Sequence, residues 1–153
     1  MVITMSKKAN TKILLICILL IIVSILAYFV LPLNIVPHNN KGYLVLLCKV
    51  GDKEIALSES QTAEVVHVLS NYKVQGTLYN AYYTVHIPTY YFVITFQDER
   101  GVTYATRGVN IGADGGQNNF VGGYTPFLSL YRKVIHGDGL YQKIDELMKS
   151  WGY

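Results

Sequence analysis

From Ile13 to Leu33 the chain reads ILLICILLIIVSILAYFVLPL, with no charged residue and only Cys17, Ser24 and Tyr28 as mildly polar members. At ~1.5 Å rise per residue such a run reaches ~31 Å as a helix, against a hydrocarbon core of ~30 Å. A helix satisfies its own backbone groups in lipid, so the pattern predicts one transmembrane helix over 13–33. Pro32 stands at its exit, where a missing N–H does little damage. The run exceeds the ~7–15 residues of a cleaved signal peptide's apolar region. Ala27 is followed by Tyr28, Phe29 and Val30 with no A-x-A pattern, and no small residue precedes Cys17. Retention as an anchor is therefore expected. No G-x-x-x-G pattern marks the run as a helix-dimer face.

Beyond it the periodicity changes. Asn34–Lys41 reads as a short polar linker around Pro37. Tyr43–Lys49 reads as a strand, Gly51-Asp52 as a turn and Glu54–Leu57 as a return strand, a hairpin pattern. Ser58 with Gln61 three residues later forms a capping-box signature. Thr62, Val65, Val66 and Leu69 then recur at one helical face, and Asn71 can end the helix. Thr77–Ile87 alternates, with Thr77, Tyr79, Ala81, Tyr83, Val85 and Ile87 on one side. Pro88 breaks that strand. Tyr90–Phe96 is apolar on both faces and predicts a central strand. Gln97–Gly101 predicts a hairpin loop, and Val102–Arg107 the returning strand, continued over Gly108–Ile111 after a bulge. Gly112–Gly123 reads as a glycine-rich loop, and Thr125–Ile135 as a short strand or turn. Asp138 is the expected cap of a last helix, whose apolar stripe is Leu140, Ile144, Leu147, Met148 and Trp151.

This order lacks the βαβ rhythm of a parallel sheet. It predicts an α+β fold: an antiparallel sheet of about five to six strands packed with two helices, preceded by one transmembrane helix. The domain organisation expected is a basic flank over 1–12, the span over 13–33, the linker over 34–41 and a folded domain over 42–153.

Charge sets the orientation. Of 13 basic residues, Lys7, Lys8 and Lys12 precede the span, where no acidic residue stands. They favour a cytoplasmic N-terminus and an extracytoplasmic domain at the cell membrane. The remaining 10 basic and 10 acidic residues leave that domain neutral. Nucleic-acid binding is not expected, because it calls for clustered Lys and Arg on the folded part. The bilayer is the expected partner of the span, with a protein or peptide partner for the domain. Cys17 lies in the span and Cys48 in a strand, so they cannot pair, and a disulfide-dependent fold is excluded. Cys48 is expected to act as a buried small hydrophobe.

Chemistry-bearing patterns are sparse. His38, His67, His86 and His136 show no zinc spacing, and neither a cofactor nor a metal is expected. His136 with Asp138 is the one suggestive pair, a histidine oriented by a carboxylate, but no nucleophile accompanies it. The loop GADGG lacks the lysine of a phosphate loop and carries one carboxylate, Asp114, too few for a dedicated calcium site. Twelve of 13 tyrosines lie beyond the span. Exposed tyrosines offer amphipathic contact area at low entropy cost. The expected binding surface is therefore Tyr82, Tyr90 and Tyr91 with the loop residues Asp114, Asn118 and Asn119.

The Lys7-Lys8 to Leu33 head, the Ser58–Gln61 helix start and the closing Leu140–Trp151 helix resemble small single-pass, membrane-anchored proteins of Gram-positive bacteria with one extracytoplasmic domain of unassigned function. The resemblance implies topology and transfers no catalytic residue. The expected function is a membrane-anchored binding or accessory domain for a peptide, protein or envelope ligand. The alternatives are a small extracytoplasmic hydrolase or transferase using His136 and Asp138, and a structural subunit of a membrane complex. Protease added to intact cells is expected to digest the domain and spare the lysine-bearing end. A protected domain, or one recovered free in the medium, contradicts this topology.

Overall fold

The computed structural model describes residues 7–38, 40–76, 89–112, 120–123, 131–137 and 139–153. The strand expected over Thr77–Ile87 lies outside them, as do Tyr82, His86, Asp114, Asn118, Asn119 and Asp138. The chain divides into two compact units, Met1–Leu31 and Pro32–Tyr153.

The first unit holds helix α1, Lys7–Val30. Its Thr11–Val30 stretch is long and apolar enough to cross a membrane. The side chains of residues 11–26 are exposed, as a lipid-facing helix requires. Leu31 N–H donates to the Ala27 carbonyl at 2.9 Å, so the helical bonding runs up to Pro32.

The second unit is α+β. Its strands are β1 (Leu33–Asn34), β2 (Gly42–Val50), β3 (Lys53–Ile55), β4 (Lys73–Gly76), β5 (Tyr90–Gln97), β6 (Thr103–Ile111), β7 (Phe120–Gly123) and β8 (Tyr131–Ile135). Helix α2 spans Glu59–Ser70 and α3 spans Leu140–Ser150. Every strand pairing is antiparallel, in the order β1-β4-β8-β7-β6-β5-β2-β3. The sheet consists of a four-stranded ladder, β6-β5-β2-β3, and a three-stranded ladder, β1-β4-β8, bridged by short β7. Neither ladder reaches the five to six strands expected.

Four corrections have physical causes. The expected linker over 34–41 is partly folded. Asn34 belongs to β1, Ile35 is fully buried, and Ile35 N–H donates to the Tyr72 carbonyl at 3.2 Å. Removing Ile35 from water outweighs the polarity of its neighbours. The glycine-rich stretch taken as one loop contains β7, because β6 and β8 on either side supply backbone partners that Gly122 and Gly123 accept as well as any residue. The bulge expected before Gly108 is absent there. Gly108 pairs regularly with Val93 and Gly122, and the shifts fall between Phe96 and Gln97 and between Val45 and Leu47. The N-cap of α3 is Gly139 rather than Asp138, with no side-chain cap bond.

The remaining local readings hold. Ser58 caps α2 reciprocally: Gln61 N–H donates to Ser58 Oγ at 3.2 Å, and Ser58 N–H donates to Gln61 Oε1 at 2.8 Å. The four residues of the expected α2 face, Thr62, Val65, Val66 and Leu69, are its buried residues. In α3, Leu140, Ile144 and Met148 are buried, with Leu147 and Trp151 packed beside them. Both helices cover one face of the sheet, where β5 contributes Phe92, Ile94 and Phe96 and β6 contributes Val109 and Ile111, all fully buried. Phe92→Ala is expected to cost about 3–5 kcal/mol through lost burial and a residual cavity. Leu44→Ala, at a side chain 53% exposed, should stay within about 0.5 kcal/mol. Chemical denaturation of the full chain in detergent measures both.

Candidate functional site

Strand periodicity decides which tyrosines reach the surface. On β5 the side chains of Tyr90, Phe92, Ile94 and Phe96 share the helix-covered face, and Tyr91, Val93, Thr95 and Gln97 share the other. Tyr90 is 3% exposed. Its expected place in a recognition surface is thereby corrected: it is a core residue with a polar tip. Tyr91 is half-buried on the opposite face, in register with Lys49 and Asn110.

The Tyr90 hydroxyl donates to Asp145 Oδ1 at 2.6 Å, and the Tyr141 hydroxyl donates to the same oxygen at 3.4 Å. The two rings lie 5.9 Å apart between centroids. Lys149 Nζ lies 2.7 Å from Asp145 Oδ2, one helical turn on. The Lys149 hydrogen bond, then that of Tyr90, holds the Asp145 carboxyl below its ordinary value. Burial, then the bond to Asp145, pushes the Tyr90 phenol up. Burial and the Asp145 charge push Tyr141 up as well. A phenol raised in this way is neither a nucleophile nor a base at neutral pH. The cluster therefore pins α3 to β5. Its sequence signal was absent, because Tyr90 and Asp145 are 55 residues apart.

Arg107 is a second tie that periodicity misses. Its register partners are Ile94 and Gly123, which places it on the helix-covered face beside Val109. Its Nη1 donates to the carbonyls of Asn34 and Ile35. The first residues of the domain are thus held on the sheet. Burial, then the neighbouring Arg132 charge, lowers the pKa of the guanidinium.

Among the described residues the candidate catalytic groups are dispersed. Cys48 is 1% exposed, and burial pushes its thiol up to about 12, the opposite of an activated nucleophile. His136 is exposed on the turn after β8 with a positive φ of 53°. His67 is exposed in the last turn of α2, and His38 is exposed beside the Asn34 side-chain amide. Among the described residues no three His, Cys, Asp or Glu side chains gather as a metal site. An open cavity of about 410 Å³ is lined by His38, Lys41, Asp98, Glu99 and Arg100. Its charges are largely used internally. Lys41 pairs with Glu99 at 3.6 Å, and Asp98 Oδ1 accepts from the backbone N–H of Arg100 at 2.8 Å and Val102 at 3.0 Å.

On the face of the four-stranded ladder turned away from the helices, Val93 and Thr95 are buried and an apolar group is exposed. Leu44 and Leu46 on β2 are 53% and 61% exposed, Tyr104 on β6 is 45% exposed, and Val102, just before β6, is 58% exposed. Between them Thr95 is buried, its hydroxyl donating to the Leu44 carbonyl at 3.3 Å. Exposed apolar groups of this kind favour association. No family model, curated protein or solved structure matches the chain.

Because the pKa of Asp145 is depressed in the fold, its contribution to stability is present above its ordinary value of 3.8 and is lost as pH falls through its folded value. The melting temperature of the full chain in detergent should therefore drop below about pH 4. Asp145→Asn should melt lower at neutral pH and show a weaker acid dependence. Parallel pH profiles for the two proteins contradict this role.

Proposed function

We propose that the chain is a membrane-tethered, non-enzymatic binding or accessory domain, held at the cell membrane by residues 13–33 with its C-terminal domain on the extracytoplasmic side. The observation that carries this reading is the open apolar face of Leu44, Leu46, Val102 and Tyr104. Exposed apolar side chains grouped on one face favour contact with a polypeptide or another amphipathic ligand. Tyr91 lies on the same side of β5 as Thr95, four residues away and outside this exposed group. Equal numbers of acidic and basic residues in the domain favour recognition through apolar contact over electrostatic capture of nucleic acid. The orientation rests on Lys7, Lys8 and Lys12 before the span.

A photoreactive residue at Tyr104, in the full chain in intact cells, tests the reading. The control position is Glu146, exposed on the helical side. Adducts with a polypeptide other than this chain are expected at Tyr104 and not at Glu146. An adduct pattern at Tyr104 no different from that at Glu146 overturns the assignment of this face.

A further inference from the structure

The backbone beside this face carries a second piece of information. Strand β3 pairs only with Cys48, Lys49 and Val50 of β2, whereas β5 pairs along β2 from Gly42 to Val50. Among the described residues, no strand therefore lies against Gly42–Leu47 on the side away from β5. In an antiparallel ladder alternate residues direct both N–H and C=O away from their partner. The stretch thus presents a row of outward main-chain groups. Sheet edges are ordinarily blunted by charge, proline, a bulge or short length. The opposite edge strand, β1, has two residues, and β3 carries the exposed charges Lys53 and Glu54. Gly42-Tyr43-Leu44-Val45-Leu46-Leu47 has neither charge nor proline. Its one irregularity is the register shift between Val45 and Leu47.

We propose that the open Gly42–Leu47 edge of β2 pairs antiparallel with the same edge of a second copy of this chain, joining two sheets across a two-fold axis at Leu44. The outward backbone calls for an extended strand, and the uncharged side chains call for an uncharged one. The same stretch satisfies both requirements, as a self-complementary interface must. The equal numbers of acidic and basic residues beyond the span impose no net repulsion between copies.

The register follows from which pairs are compatible. A two-fold axis perpendicular to the sheet matches open face with open face, so Leu44 lies opposite either the partner's Leu44 or the partner's Leu46. The second arrangement brings Gly42 to the partner's Cys48, where β3 already pairs. The first arrangement sets Gly42 against the partner's Leu46 and Tyr43 against the partner's Val45, with no charged pair. The apolar face of each protomer then continues into the other. This pairing is independent of the ligand reading, since a dimer forms or fails to form whether or not the outer face captures a further polypeptide.

The test uses the full chain in detergent micelles and in lipid nanodiscs, with Cys17→Ala to remove the cysteine in the span. Light scattering should give twice the protomer mass. Leu44→Lys, which places two like charges at the axis on an exposed side chain, should return the protomer mass while circular dichroism shows the chain still folded. A short bifunctional maleimide should join Leu44→Cys protomers and leave Leu46→Cys protomers separate. A wild-type protomer mass, a dimer that Leu44→Lys leaves intact, cross-linking through Leu46→Cys in place of Leu44→Cys, or Leu44→Cys adducts only to other polypeptides would each overturn the proposal.

Discussion

Sealing one face of the antiparallel sheet under α2 and α3 is the constraint to which the rest of this domain answers. Phe92, Ile94 and Phe96 on β5 meet Val65 and Leu69 from α2 and Ile144 and Met148 from α3 in one cluster of buried residues. Each of these side chains contributes on the order of 1.5–3 kcal/mol by leaving water. Nothing polar in the described part of the domain competes on that scale. The parity of β5, set by this burial, then determines every other strand position by register. Ala105, Arg107, Val109 and Ile111 follow it on β6, and Tyr43 and Val45 follow it on β2.

Polar groups that fall on the sealed face are satisfied by specific partners, as a water-poor environment requires. Tyr90 reaches Asp145 at the periphery of α3, and Arg107 reaches the carbonyls of Asn34 and Ile35. Both contacts join distant parts of the chain. The first holds the C-terminal helix, and the second holds the residues that follow the apolar helix. The unit beginning at Pro32 thus incorporates its first residues into the core.

The opposite face follows a different logic. With both helices spent on one side, Leu44, Leu46, Val102 and Tyr104 stay in contact with solvent, and β3 is too short to cover the length of β2. Exposed apolar side chains and an uncovered backbone edge coincide on one strand. The association proposed above would remove both from water. Among the described residues, the Cys48 thiol is buried and His38, His67 and His136 stand singly on turns and a helix end.

Several features were decided by the sequence alone because their causes are local. The uncharged run before Leu33 specifies a membrane-length helix by composition. Ser58 and Gln61 cap α2 through contacts three residues apart, and the spacing of Thr62, Val65, Val66 and Leu69 already defines its buried face. The doubly apolar Tyr90–Phe96 run identifies the central strand. Tertiary structure decided the rest. Alternation divides the side chains of a strand into two sets but does not say which set meets the core, so Tyr90 was assigned to the wrong side. Backbone pairing supplied by neighbours turned Gly122 and Gly123 into strand residues and drew Ile35 out of an expected linker. The open edge of β2 depends on how far β3 runs, a length fixed by pairing across the hairpin and by no residue within β2 itself.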